Sequence, residues 1–536
     1  MNITAPHGYL TPGRQATRGR AQVKDPDVIV VGAGGSGAVL AARLSEDPGR
    51  SVLVLEAGPV PGHPSAFPPE LLDARLVPGA QSGHPAVEPY AVHLARGRPY
   101  TVVRGRVLGG STTVNGGYFV RARREDFDRW SKAGGAAWSY DRVLPFLRLL
   151  ETDLDHGADA LHGDRGPVRV RRTVLGHPAA TAFRAAARRL GFPEEPDKNA
   201  QGVPGFGPVP CNVVDGVRVN TGISHLLGAT GRPNLRVEGD STVLRVVVER
   251  GRATGVTVER HGHRRTVRGG QVVLCAGALR SPHLLQLSGI GPRRRLEALG
   301  VPVVKDAPAV GARFGDHPQV VLEWAPRRPM PAPVASWLGG ALHLSSSDGV
   351  HPGDLEILQS LVPMAGLTAG RASVPGAPLA FLVSVQTPRL TGRMRTRSAG
   401  PGVAPSLDYG YLSTAADRRR MREAVRVTAE LIGTPDFREV SGGLMEPVAD
   451  VLGDDRLLDE WILGHLGTSH HTCGTVPMGS ADDPRAAVDA YGTVHGVVGL
   501  RVADTSILPT APLRGPAATA VLIGEVVADA LRRGPA

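Results

Sequence analysis

Four apolar residues in a row, Val28 to Val31, stand between the polar "DPD" and the glycine-rich "GAGGSG". An unbroken β-branched run of that length predicts a strand buried on both faces, as in a parallel sheet. The segment after the glycines reads as a helix, and Ser51 to Leu55 as a second buried strand. Further on, "STVLRVVVERGRATGVTVERHGHRRTVRGGQVVLCAGA" alternates apolar and polar positions between short Gly turns. It reads as alternating strands with short Gly turns, followed by the apolar strand Val272 to Leu274. Val521, Leu522, Val526 and Leu531 are apolar positions of a last helix. "MPAPVASWLGGALHLSSSD" and "FLVSVQTPRLTGRMRTRS" read as strands and loops that name no ligand. The runs "RRR" at 293–295 and 418–420, each followed by apolar residues at helical spacing, read as solvated helix faces.

A chain of 536 residues is long for one core, which points to two lobes. The net charge of +11 comes with only four lysines, so 57 of the 61 basic residues are arginine. With 69 glycines beside it, that excess looks like a compositional bias rather than a binding tract. Aromatics are 4%, too few for base-stacking platforms, so nucleic acid is not expected as a partner. Cys211, Cys275 and Cys473 lie far apart without paired spacing, which fits a reducing, cytoplasmic compartment and neither a disulfide framework nor a zinc knuckle. Residues 1–24 lack the apolar core of a signal peptide and read as a loose arm. No run of about 18 uncharged apolar residues predicts a membrane span, which leaves peripheral membrane contact open.

The first chemical signal is Gly32, Gly34 and Gly37 in G-x-G-x-x-G spacing, directly after the first strand. The first glycine permits the tight turn, the second lets a pyrophosphate approach the backbone, and the third lets helix pack on strand. The helix N-terminus offers free N–H groups to phosphates. Glu56 ends the second strand nineteen positions beyond Gly37, where a carboxylate accepts hydrogen bonds from ribose hydroxyls. The unit fits FAD and NAD equally.

A second glycine cluster lies in "VRGRVLGGSTTVNGGYFVRARREDFDRW". Gly109-Gly110 and Gly116-Gly117 let backbone lie flat against a large planar ligand, and Ser111, Thr112 and Asn115 offer side-chain hydrogen bonds. With "CAGALRSPHLLQLSGIGP", "VGARFGDHP", "HHTCGTVPMG" and "GLRVADTSILPTAP" in this order, the chain resembles the glucose–methanol–choline (GMC) oxidoreductases over residues 26–533. The resemblance implies an FAD-dependent enzyme with an α/β fold: a Rossmann-like FAD-binding domain and a discontinuous substrate-binding domain built on an antiparallel sheet. It places the FAD domain in 25–150, 230–315 and 465–536, a mixed segment in 151–229, and the substrate domain in 316–464. It also implies that Val243 meets the adenine through its backbone and that Asp504 belongs to the cofactor site.

"TSHHTCGTVPMG" is the second chemical signal. Adjacent histidines do not have the i, i+4 spacing of helical metal ligands, and no metal is expected. On a strand, His470 and His471 would point to opposite faces, whereas His471 and Cys473 would share one. The resemblance makes His471 the catalytic base, whose proton abstraction accompanies hydride transfer to flavin N5, and Cys473 a buried hydrophobe. The chain departs from the family twice. Pro516 stands where a second His or Asn usually holds the substrate oxygen, leaving His470, Thr472 and Arg514 as replacements. The helix N-terminus at Ala517 remains available to the reduced flavin. Val114 occupies the position of the histidine that some members attach covalently to FAD, so the FAD is expected to be non-covalent.

In detailed pattern the chain looks most like the members associated with mycofactocin, a peptide-derived redox cofactor. That likeness implies a dehydrogenase of an alcohol donor, reduced mycofactocin, that passes electrons to a downstream, respiratory acceptor. The alternatives are an ordinary small-alcohol or choline-type dehydrogenase and a hydroxynitrile lyase in which flavin is a bystander.

Overall fold

The computed structural model describes residues 25–349, 351–369, 374 and 376–534; the arm expected over 1–24 lies outside them. Val28–Val31 is the centre of a five-stranded parallel sheet. Val52–Leu55 and Gln271–Leu274 pair with it on either side, and Leu235–Glu238 and Leu500–Val502 form the edges. The central strand has no exposed face, which is why its sequence shows no alternation. Helix Gly37–Leu44 lies against the last helix, Ala517–Arg533. Ser36 Oγ donates to the Ala520 carbonyl at 2.6 Å, and a Cβ on Gly524 would come within 2.6 Å of the Ser36 carbonyl. The two ends of the chain are thus locked together beside the first glycine loop.

Ser241–Glu249, Arg252–Arg260 and His263–Arg268 are the expected strands joined by short Gly turns, and they pair in order as an antiparallel meander. A second, mixed-length sheet is antiparallel throughout. Its order is Ser441–Leu444, Pro318–Pro326, Leu379–Val385, Leu355–Ser360, Leu338–Leu344 and Phe206–Pro208, and Gly467–Thr468 adds to the end of Pro318–Pro326. Helix Ala415–Gly433, capped by Thr414 Oγ1 on the Asp417 N–H, covers one face of it. The fold is the expected α/β arrangement of a Rossmann-like lobe beside an antiparallel one.

One arginine run differs from expectation. Arg420 is buried, hydrogen-bonded to Asp417 at 2.6 Å and to Thr387, because its position on the helix faces the sheet. Among the described residues no helix is long and apolar enough to cross a membrane.

Candidate active site

A cavity of about 800 Å³ runs between the two lobes. Its lining includes Gly32, Gly34, Glu56 and Val243, and also His470, His471, Pro516 and Ala517. Gly110, Ser111, Thr112, Val114, Asn115, Gly116 and Asp504 line it as well. Sequence positions nearly five hundred residues apart therefore share one wall.

The glycines divide into two kinds. A Cβ on Gly37 would lie 2.0 Å from the Gly32 carbonyl, so this residue serves helix–strand packing and stays outside the cavity. Gly109 is also behind the wall, against Thr113 and Asn220, which corrects the expectation that both members of the pair meet a ligand. Gly110 has a left-handed φ of +53°, and its Cβ would lie 2.8 Å from the Gly34 Cα. The two glycine clusters meet back to back there, and only glycine allows the approach.

Glu56 is buried and accepts from the backbone N–H groups of Ala33, at 2.8 Å, and Gly58, at 2.9 Å. Burial outweighs those bonds and pushes its carboxyl up to about 7. A buried carboxyl raised this far is favoured in its ionised form by a ligand that brings further hydroxyl donors. Asp504 accepts from the Gly277 N–H at 2.9 Å and from Ser281 Oγ at 2.5 Å, tying the second glycine turn of the parallel sheet to the last strand. Asn115 Oδ1 receives the Gly117 N–H at 3.0 Å, and Trp337 Nε1 donates to the Gly116 carbonyl at 3.0 Å. Thr112 Oγ1 bonds the Gly109 carbonyl, and Ser111 Oγ receives the Gly105 N–H. These side chains mainly hold the loop in shape. The glycine floor, the helix N-terminus beyond Gly34 and the buried Glu56 fit an adenine dinucleotide. The apolar Val114, which is buried, offers it no nucleophile.

At the paired histidines the backbone bends. His470 has φ +62°, so the two histidines are not on a strand, and both residues line the cavity. The strand geometry on which the division onto opposite faces depended is absent here. Asp316 organises the bend: its Oδ1 accepts the backbone N–H of His471 at 2.8 Å and its Oδ2 accepts Thr472 Oγ1 at 2.6 Å. Arg104 and Tyr409 also hold Thr472, at 2.6 and 3.0 Å. Cys473 is wholly buried, burial pushes its thiol well up, and its Sγ donates to the His471 carbonyl. A His–Cys nucleophilic pair is not formed.

His317 is the residue that sequence reasoning missed. Its Nδ1 lies 2.9 Å from Nδ1 of His471, with the rings nearly perpendicular at 84°. Burial lowers the pKa of both, that of His471 to about 3, so both are neutral at pH 7 and one Nδ1 must donate to the other. Nε2 of His317 has no fully formed hydrogen bond, and the acceptor that favours a proton there is the Pro512 carbonyl. With that proton on Nε2, Nδ1 of His317 accepts from His471, and the lone pair of His471 is left at Nε2. That atom faces Gly515, whose Cβ would lie 3.4 Å from it.

Of the proposed substitutes for the missing oxygen ligand, Arg514 is fully buried and spends Nη1 on the carbonyls of Gly353 and Leu513, away from the cavity. Thr472 is committed to Asp316, whereas His470 Nδ1 has no partner among the described residues. Pro516 caps the last helix without a side-chain bond and lines the cavity. The cluster Glu151, Asp153 and His162 has metal-ligand spacing. However, Arg121, Arg172 and a His162 whose pKa is raised to about 11 neutralise Glu151, Asp153 and Asp197, so the cluster is a closed ion-pair network.

The GMC oxidoreductase family matches this chain over residues 26–319 and again over 388–524. An uncharacterised GMC-type oxidoreductase of Rhodococcus erythropolis is 40% identical over 508 residues, 93% of this chain and 97% of that protein. An oxygen-dependent choline dehydrogenase of Chromohalobacter salexigens is 34% identical, with 95% of each chain covered. Among solved structures, a pyridoxine 4-oxidase from Mesorbium loti superimposes with a TM-score of 0.88 at 29% identity, over 96% of this chain and all of that one. A formate oxidase shares the fold, with a TM-score of 0.86 at 22% identity, over 95% and 99% of the two chains. The chain belongs to the GMC oxidoreductase family, and it is a flavoprotein whose cofactor is FAD.

Proposed function

We propose that this protein oxidises the CH–OH group of an alcohol, with His471 as the base and non-covalent FAD as the electron acceptor. The observation that carries the reading is the 2.9 Å approach of Nδ1 of His317 to Nδ1 of His471 beside the cavity; with the proton of His317 on Nε2, Nε2 of His471 is the atom left to accept. Bound FAD supplies a two-electron acceptor for the hydride leaving the carbinol carbon. Gly32, Gly34, Glu56, Gly110, Val243, Asp504 and Ala517 hold it, and Ser111, Thr112, Asn115 and Gly116 shape the loop beneath it. His471 takes the hydroxyl proton at Nε2. Its low basicity keeps the base form ready throughout the neutral range, and the proton becomes transferable as hydride departure makes the hydroxyl acidic. The imidazolium that results is stabilised by the neighbouring Asp316 and by the acceptor on its Nδ1 side.

The relatives named for choline and pyridoxine support alcohols as the substrate class, and both oxygen-dependent and oxidase names occur among them. Reduced mycofactocin is the specific donor we propose, with electrons passed to a separate acceptor. We assign 25–150, 230–315 and 465–536 to the FAD domain and 316–464 to the substrate domain, with 151–229 shared. All three cysteines are buried and free, in accord with a reducing, cytoplasmic setting. The test is anaerobic reduction of the purified flavoprotein by an alcohol panel that includes reduced mycofactocin. Bleaching of the flavin by an alcohol supports the reading, and an enzyme that cleaves a cyanohydrin without flavin reduction overturns it.

A further inference from the structure

The middle of the antiparallel sheet holds a carboxylate. Glu356 lies in Leu355–Ser360, a strand whose six residues are all buried, and a charge in that position is costly unless it is bonded. Its Oε2 accepts from the Tyr118 hydroxyl at 2.7 Å and from Nε2 of His343 at 2.9 Å. The direction of the second bond is fixed from behind. Lys198 Nζ lies 3.1 Å from Nδ1 of His343 and can only donate, so Nδ1 accepts and the ring proton sits on Nε2. Lys198 in turn is 2.7 Å from Glu195. Burial opposes ionisation of Glu356, but His343 and Tyr118 prevail and hold its pKa at about 2.

Oε1 of this carboxylate receives no hydrogen bond among the described residues, and Glu356 lines the cavity. Tyr118 lines it as well. A Cβ placed on Gly515 would lie 3.3 Å from the Tyr118 ring and 3.4 Å from Nε2 of His471, so the Glu356–Tyr118 pair and the base converge on one spot. Trp337, Leu358 and Leu382 make the surrounding wall apolar. An ionised carboxylate oxygen with an open lone pair in such a wall calls for a partner.

We propose that Oε1 of Glu356 is a substrate anchor that selects alcohols carrying a second hydrogen-bond donor, a hydroxyl or an N–H. The inference rests on the reading that the cavity takes an alcohol at His471. A donor, and not merely a cation, is the matching chemistry. The charges of Glu356 and Glu195 are already faced by Lys198 and Arg514, whereas the lone pairs of Oε1 are unmet. A quaternary ammonium group has no N–H to give them.

The experiment uses the holoenzyme and matched pairs of alcohols: 2-, 3- and 4-hydroxybenzyl alcohol against the corresponding methoxybenzyl alcohols. Each pair keeps the reacting carbinol and replaces the second donor by a methoxy group, and the Glu356→Leu comparison separates the lost donor from the added methyl. Limiting rates and half-saturation concentrations come from anaerobic flavin reduction. The product aldehydes, titrated under conditions in which the flavin stays oxidised, give dissociation constants from flavin absorbance changes. At one ring position or more, the hydroxy compound is expected to bind about 10- to 100-fold more tightly than its methoxy partner, the range of a hydrogen bond to a charged group. Glu356→Leu should bring that ratio to near one, with a donorless 3-(trimethylammonio)benzyl alcohol no better than the methoxy compound. Glu356→Gln, which keeps an acceptor, should retain part of the ratio and serves if the Leu variant does not fold. Equal binding of hydroxy and methoxy aldehydes at all three positions overturns the anchor, as does a preference for the ammonium compound or a ratio that survives Glu356→Leu. If the aldehydes discriminate but no alcohol bleaches the flavin, the anchor stands and the oxidation reading falls.

Discussion

The imidazoles of His317 and His471 meet Nδ1 to Nδ1 at 2.9 Å across 154 residues of chain. With the proton of His317 on Nε2, this neutral pair sets the tautomer of the ring that faces the cavity, and a base in the other tautomer presents N–H where it must accept. His471→Ala should leave FAD bound and slow its reduction about 10²- to 10⁴-fold, the contribution of a positioned general base. His470→Ala should cost far less. His317→Phe should lower the limiting rate with little change in half-saturation, whereas His317→Asn, which restores an acceptor, should recover part of it. Stopped-flow reduction of the four variants decides; a loss at His470 larger than at His471 would reverse the assignment of the base.

The pH dependence follows from burial. His471 has its pKa lowered to about 3 and His470 to about 4, both chiefly by burial. The unfolded chain takes up a proton on each near pH 6.5, and the folded protein does not. Each therefore costs stability as pH falls below about 6.5, down to the folded value. The melting temperature should drop between pH 7 and pH 5, and His470→Phe should reduce that drop. The limiting rate of flavin reduction should show no acid limb near pH 6.5, because the base stays neutral there. A rate that halves at pH 6.5 would show a more basic His471 than its surroundings allow.

Glu56 carries the opposite sign. Its pKa is raised to about 7 by burial, so in the apoprotein the carboxyl is partly protonated at neutral pH. Ribose hydroxyls donate to the ionised form, so FAD affinity should rise from pH 6 to pH 8. Glu56→Gln should weaken binding and flatten this dependence. Fluorescence titration of apoprotein with FAD measures both. An affinity that falls over that interval would place the ribose elsewhere.

How the flavin is attached is a separate matter. Val114 has no nucleophile, so precipitation with acid should release all the yellow colour to the supernatant, and colour kept in the washed pellet would identify another attachment point.

The first glycine loop and Glu56 were legible because their signal is local: strand, turn, helix and acid lie within thirty residues. His471 was legible only through a resemblance. His317 was in plain view in "VGARFGDHP", yet nothing local says that Asp316 and His317 fold back against residue 471. The bend at His470 was missed because a histidine with positive φ is rare outside such clamped turns. The group Tyr118, Lys198, His343 and Glu356 was invisible for a stronger reason. Each member sits in a different segment, and two of them lie in strands that are buried along their whole length.

Pro516 decides how closely this active site follows its family. It stands at the N-terminus of the last helix and lines the cavity, with neither a side-chain donor nor an N–H to offer a substrate oxygen. His317 does not replace that donor on the substrate, because its bond is to the base itself. A small alcohol is then held from one side only and forgoes up to a few kcal/mol of charged hydrogen-bond stabilisation in the transition state. A larger alcohol can offset this through remote contacts that fix its reacting carbon. Methanol and choline should therefore reduce the flavin poorly, and reduced mycofactocin or another bulky donor should do so well. Pro516→Asn should raise the limiting rate with small alcohols about tenfold if the helix start keeps its place, since one added hydrogen bond of about 1.4 kcal/mol corresponds to that factor. The carbonyl of residue 516 still accepts the Ala520 N–H in either case, so the helix has no bond to lose. Rapid bleaching of the wild-type flavin by methanol or choline would show that the missing donor is not limiting.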